Sequence, residues 1–487
     1  MGEVSKQVGG GREGCSMQLR QRLISIQDNR MPYLKKLFWA YLLLLIFEGA
    51  LRKWVAPQLS APLLVIRDPI GMLIIAEAIS KNKWPERWSI VTGFLTVGLI
   101  CLCVIQMVVG GNSWAAAAFG LRSYLLPFPV AFIMGENLDA EDLRKMGVCM
   151  MWILLPMTVL EVAQYLAPAT SLLNAGAYKG ATQIRYVGGH ARASGTFSYV
   201  AGPAMFNTLV AAFVLYGFAK EGFAKKWLLA AAAFSIVLSV PVIGSRGLLY
   251  TLIEMLACIA IAAMSGVRQF GQVLKVAVPA LIVSSLVTLL PVFSEASMSM
   301  RERIAQGRGS EGSTAHSIVS RTVEPIYERL AGTDLLSNPI GIGLGRGAAA
   351  ISALQGDSRL FLAGESEFDR AINEMGPLTG IIFELFCIFL TIMIVANAVS
   401  QVRTEGEPLA LLLIPSVVGT LFFGVMEQPM EQGFMVLSVA IALTALRQRG
   451  APGKTSAAPN GLAKAEARRQ GNSVGGSGRG GFRGARI

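Results

Sequence analysis

Charge and histidine are scarce in this sequence. Only 15% of its 487 residues are Asp, Glu, Lys or Arg, and its two histidines are His190 and His316. Soluble chains carry about 25% charged residues, so a water-solvated globular protein is excluded. Two histidines alone do not make a His-rich metal site. Of the six cysteines, Cys101, Cys103, Cys149, Cys258 and Cys387 fall in apolar stretches and Cys15 near the N-terminus. None falls between 294 and 373, so no structural disulfide is expected there. Alternating polarity of period two is also missing, which argues against a membrane β-barrel. No cleavable signal peptide is expected, because the first thirty-odd residues are polar and basic and no small-residue cleavage site follows a short apolar run.

What remains is hydrocarbon. Apolar residues make up 53% of the chain and mean hydropathy is +0.53. Runs of about 20 apolar residues recur, each long enough to cross a bilayer core of about 30 Å. Lipid cannot hydrogen-bond exposed backbone, so such runs must be helices. The expected fold class is all-α: a polytopic integral membrane protein of about twelve transmembrane helices. The spans are read roughly at 37–54, 62–80, 88–109, 115–135, 146–166, 194–218, 227–243, 247–264, 273–293, 374–398, 409–425 and 432–446. The seventh, eleventh and twelfth are short, and a re-entrant pair among them would leave the sidedness unchanged. The organisation is a tail at 1–36, nine spans over 37–293, a large loop at 294–373, three spans over 374–446 and a second tail at 447–487. The Gly-, Ala-, Ser- and Arg-rich composition of that second tail predicts disorder.

Lys and Arg set the orientation. Arg12, Arg20, Arg22, Arg30, Lys35 and Lys36, then Lys81, Lys83 and Arg87, then Lys220, Lys225 and Lys226, then Arg268 and Lys275 all fall on one side if both termini are cytoplasmic. The net charge of +12 lies in loops and tails rather than on one basic face, so nucleic acid is not an expected partner. This topology puts 294–373 outside, together with a shorter loop at 167–193.

The outer loop contains eight arginines, ten acids and no lysine. A guanidinium is planar and grips phosphate or carboxylate in bidentate fashion, whereas an ammonium is a point charge. An arginine-only outer face suits an anionic lipid-linked phosphate, and the loop's own acids are the competing partners. Arginines at span ends say more, because a charge at bilayer depth normally faces a cavity or a partner. Arg67 has Asp68 and Glu48 as ready partners. Arg122 has no adjacent acid in sequence, which makes it a better site candidate. Arg192 precedes one span and Arg246 opens another. Glu48, Glu161, Glu254 and Glu384 are intramembrane acids.

Four segments resemble one family. Arg192-Ala-Ser-Gly-Thr-Phe is similar to an R-x-x-G-T-F element, and Gly244-Ser-Arg246-Gly to an S-R element at a span start. Asn338-Pro-Ile-Gly-Ile-Gly-Leu-Gly345 resembles an N-P-x-x-G-x-G turn, and Glu374-Met-Gly376 an E-x-G element opening the next span. In this order they resemble the Wzy-type polysaccharide polymerase and O-antigen ligase superfamily, glycosyltransferases of the GT-C kind. Glu48-Gly-Ala-Leu-Arg-Lys-Trp with Arg67-Asp68 looks like a subgroup of exopolysaccharide polymerases. Ligases of the superfamily carry a histidine about nine residues before the E-x-G glutamate. Glu365 stands there instead, which removes a histidine base and tilts the reading from ligase toward polymerase.

The resemblance implies a glycan donor on undecaprenyl pyrophosphate, no cofactor and no obligate metal, membrane lipid around the protein, and a chain-length regulator as partner. It implies an active site facing the periplasm from the bacterial inner membrane. Arg192 and Arg246 are the first candidates to bind the diphosphate, Arg122 and Arg370 the second, with Arg67 beside them. Glu365 is the candidate base for the acceptor hydroxyl, with Glu367 and Asp369 as rivals, and Glu374 is expected to hold the loop-to-span junction. Direct displacement would invert the anomeric carbon. A ligase differs only in acceptor. A transporter or flippase would bind near the midplane between internal repeats, and no convincing repeat is visible. A scaffold leaves the arginines without purpose.

Overall fold

A computed structural model describes residues 31–176, 191–264, 298, 338–348, 351, 367–422 and 424–448. Among the described residues the regular elements are all helices. Eight are long and apolar enough to cross a membrane: Pro57–Ser80, Glu86–Val108, Trp114–Asn137, Ala140–Leu166, Ala201–Ala219, Lys226–Ile243, Pro377–Glu405 and Pro429–Arg447. The chain is an all-α polytopic membrane protein. Helices also stand at Met31–Ala50 and Arg246–Met264, and a shorter apolar helix at Leu409–Phe422. The expected span 273–293, the tails except for 31–36 and 447–448, and most of the loop 294–373 lie outside the described residues; the first helix begins at Met31, inside the expected first tail.

Three of the expected spans differ from the helices observed for a local reason. The span expected from 194 begins as a helix only at Ala201, because Gly195 sits at φ +55° and turns the preceding segment away from helix. The span expected at 115–135 is two helices, Trp114–Leu125 and Pro127–Asn137, since Pro127 and Pro129 carry no N–H to continue the first. The helix after the outer loop starts at Pro377, behind Gly376 at φ +82°, and runs on to Glu405.

The Pro429–Arg447 helix is the axis of the bundle and is buried over nearly all its length. It packs along Pro127–Asn137, Ile414–Phe422 and Ala201–Ala219. Glycines permit close approach, as in other helix contacts within lipid. At Gly135 an added Cβ would stand 2.9 Å from Leu443 Cβ. Aromatic edges fill the next layer, with Phe128 meeting Phe386 at 5.0 Å and Phe383 at 5.9 Å. At the periphery, Glu86–Val108 turns Ile90, Phe94, Val97 and Val108 outward. In a bilayer such apolar side chains meet acyl chains at no cost.

Because successive helices run in opposite directions, their ends gather at two levels. The C-terminal ends of Met31–Ala50, Glu86–Val108, Ala140–Leu166 and Lys226–Ile243 share a level with the N-terminal ends of Arg67–Ser80, Trp114–Leu125, Ala201–Ala219, Pro377–Glu405 and Pro429–Arg447. Hydrogen bonds between these ends fix that grouping. At the other level Lys35 bonds Asp139 and Asp142, and Lys220 bonds Glu407.

Candidate functional site

Among the described residues the first level carries most of the buried charge, and the Met31–Ala50 helix starts it. Met31–Ala50 continues as a π turn, Leu51–Val55, which places Arg52 and Lys53 side by side in the interior. Glu48, one turn earlier, lies between two guanidinium groups. Its Oε1 accepts from Arg52 Nη1 at 3.4 Å and its Oε2 from Arg67 Nε at 3.1 Å. Arg67 also donates to the Pro429 carbonyl and lies over the Tyr41 ring at 5.6 Å. Gly433 makes room for it, since any Cβ there would collide with the guanidinium. Arg52 donates further to Ser198 Oγ at 3.0 Å and to the Ser60 carbonyl at 3.0 Å.

Arg122, with no acid adjacent in sequence, meets one in space. Its Nε donates to Asp68 Oδ2, and its Nη2 to Gln432 Oε1 at 3.4 Å. The pairing was invisible because it joins the first turn of Arg67–Ser80 to the last turn of Trp114–Leu125, 54 residues apart, at a register that only packing sets. Removing one member of a buried pair costs about 3–5 kcal/mol, since the survivor is left charged and dry.

The segment 192–198 crosses the end of the Met31–Ala50 helix and is clamped from several sides. Gln164 Oε1 accepts from the N–H groups of Ser194 at 3.1 Å and Gly195 at 2.8 Å, while its Nε2 donates to the Gly195 carbonyl at 3.1 Å. Thr196 Oγ1 donates to the Ile46 carbonyl at 2.6 Å. Arg192 is buried, and its Nε and Nη2 donate to the carbonyls of Ile243 and Gly244, both at 3.2 Å. These are carbonyls at the C-terminus of Lys226–Ile243, where a cation satisfies orphan acceptors and complements the helix dipole. Gly244 at φ +59° ends that helix, and Ser245 begins the next by accepting from the Leu248 N–H at 3.4 Å. Arg246 is half-buried at the first turn.

The glycine-dense turn is an anion cradle, and its occupant is a side chain of the protein. Gly341, Gly343 and Gly345 all adopt positive φ. The N–H groups of Gly345 and Gly347 donate to the two oxygens of Glu374 at 2.9 and 3.0 Å. Gln106 bonds the same turn, accepting from the Leu344 N–H at 2.8 Å and donating to the Ile340 and Glu374 carbonyls at 2.6 and 2.7 Å. Arg370 completes the carboxylate's shell, with Nε and Nη2 at 3.1 and 3.0 Å from Glu374 Oε1 and Nη1 on Glu427. Glu374 thus holds the loop-to-span junction, as expected.

Of the candidate residues, the structure brings Arg67 and Arg122 to one level with Arg192, Arg246 and Arg370. Arg67, Arg122 and Arg370 are in ion pairs there. Glu365 lies outside the described residues, and the structure describes only the helical backbone of Glu367 and Asp369. Sequence reasoning missed Gln106, Gln164 and Lys53. Two of these carried a visible signal: a glutamine inside an apolar run needs an internal partner.

No protein-family model matches the chain, and no curated protein matches it either.

Proposed function

We propose that the protein is a membrane glycosyltransferase of about twelve spans and GT-C-like architecture. In this reading it polymerises undecaprenyl-pyrophosphate-linked oligosaccharide repeat units into exopolysaccharide or O-antigen at the periplasmic face of a bacterial inner membrane. One observation carries the reading. The four segments that resemble the polymerase and ligase superfamily are far apart in sequence, yet they gather at one level of the bundle in two bonded pairs. Arg192 of the first bonds Gly244 of the second, and Glu374 of the fourth bonds Gly345 of the third.

The chemistry follows from the donor. An acceptor hydroxyl oxygen attacks the anomeric carbon, the bond to the lipid diphosphate breaks, and the hydroxyl proton passes to a carboxylate, assigned to Glu365. The departing diphosphate carries the developing charge, which fixed guanidinium groups stabilise without reorganising. Carboxylates engage Arg67, Arg122 and Arg370, which order the site, and the resemblance of their segments assigns capture of the leaving group to Arg192 and Arg246.

Purified protein given lipid-linked repeat units tests this directly. Lengthened glycan from the wild type, reduced by Arg192→Ala, Arg246→Ala and Glu365→Gln in folded protein, is the expected result. Movement of the donor across liposomes without lengthening would replace the reading with a transporter. Cells lacking the protein separate the acceptors: single repeats mark a lost polymerase, long lipid-linked chains a lost ligase.

A further inference from the structure

Among the described buried cations at this level, Lys53 is the lysine among arginines. It is 4% exposed. Its nitrogen donates to Ser194 Oγ at 2.9 Å and to the Gly195 carbonyl at 2.7 Å, and it lies 4.8 Å from the centre of the Trp54 ring. Among the described residues no carboxylate pairs with it, whereas Arg52, Arg67, Arg122 and Arg370 each have one. A dry amine with only neutral acceptors is costly to bury, and an apolar side chain would fill the volume more cheaply. The two acceptors belong to consecutive residues of the 192–198 segment. Gly195, at φ +55°, is the point at which that segment turns. Gln164 grips the same two residues from the opposite helix. Between them, Lys53 and Gln164 fix the backbone two and three residues after Arg192. The Arg192 guanidinium in turn spans to Ile243 and Gly244, three and two residues before Arg246.

We propose that Lys53 is a positioning residue for anion capture: by holding Ser194 and Gly195, it sets where Arg192 stands relative to Arg246. This rests on the glycan-transfer reading and adds a residue to it. The ligand class is a diphosphate ester, and inorganic pyrophosphate is the probe.

The experiment measures donor kcat and KM, and inhibition by inorganic pyrophosphate, for wild type, Lys53→Met and Lys53→Arg, with melting temperature and size-exclusion profile in detergent as controls. Folded Lys53→Met is expected to lose about tenfold in kcat/KM and to need a correspondingly higher pyrophosphate concentration for half inhibition. Lys53→Arg, which donates to both oxygens, restores most of each. A Lys53→Met protein with unchanged kinetics overturns the proposal. So does one whose activity falls while pyrophosphate inhibition stays at the wild-type value, since that is the mark of a general packing defect. If Lys53→Met does not fold, Ser194→Ala takes its place, because it removes one of the two acceptors. A weaker loss in the same two readouts supports the proposal, and none overturns it. If the wild type neither lengthens glycan nor is inhibited by pyrophosphate, the underlying reading fails instead.

Discussion

Arg192 donates from Nε to the Ile243 carbonyl at 3.2 Å, so the segment before one helix closes the end of another. Arg192→Ala leaves two buried carbonyls without this donor and should lower stability by about 1–3 kcal/mol. Arg192→Lys keeps the cation but not the fork, and should retain most of the stability while raising donor KM. Thermal unfolding in detergent beside donor kinetics separates the two effects.

The Glu374 carboxylate is shared by the Gly345 and Gly347 N–H groups and by Arg370. Glu374→Gln removes the charge and replaces one acceptor with a donor that faces other donors. The expected loss is at least about 3 kcal/mol, read by denaturant unfolding or by the yield of monodisperse protein. An unchanged midpoint would show that the cradle tolerates a neutral occupant.

Gly345 and Gly111 both adopt positive φ, at +75° and +62°, in different surroundings. An added Cβ at Gly345 would meet the Ala116 carbonyl, while at Gly111 nothing lies within 4 Å. Gly111→Ala should cost about 1–2 kcal/mol for its backbone conformation. Gly345→Ala should add about 1–3 kcal/mol of overpacking. Equal losses in the two variants would argue against the close approach of turn and helix.

Arg122 and Asp68 should be coupled. Asp68→Asn and Arg122→Gln each strand a buried charge, and the double variant strands neither. A double-mutant cycle on unfolding free energy should give an interaction of about 0.5–3 kcal/mol. Additive losses would mean that the pair does not form.

Acid should weaken the opposite end of the bundle. Burial works against the Asp139 carboxylate, but hydrogen bonds from Lys35 and from the Asp142 N–H outweigh it and hold its pKa below the ordinary value. A depressed carboxylate contributes its stability in full above about pH 4 and loses it as pH falls through the folded-state value. Asp139→Asn should therefore flatten the acid side of the stability profile, measured as melting temperature against pH.

Much of the architecture was legible because bilayer thickness imposes a length and an apolar composition on each span. The described spans stand near the positions this implies, and Gly195, Pro127 and Gly376 explain three of the differences. The charged level was legible as a set of residues but not as a set of pairs. That Arg67 meets Glu48 was among the open options. That Arg122 meets Asp68, and that Gln106 reaches Leu344, depends on the rotation and register of helices, which apolar composition leaves undefined. Lys53 escaped because a lysine beside an arginine at a span end reads as an ordinary interfacial anchor, and only burial sets it apart.

The central position of the Pro429–Arg447 helix bears on biogenesis. It is synthesised after the helices that it packs against, yet it supplies the Pro429 carbonyl to Arg67 and the Gln432 amide to Arg122. Until it inserts, those guanidinium groups lack part of their shell, and the hollow along Pro127–Asn137 must be filled by lipid or by the translocation machinery. Assembly of these helices therefore ends with the one that its neighbours bury, and a ribosome stalled before residue 429 would leave Arg67 and Arg122 short of those acceptors.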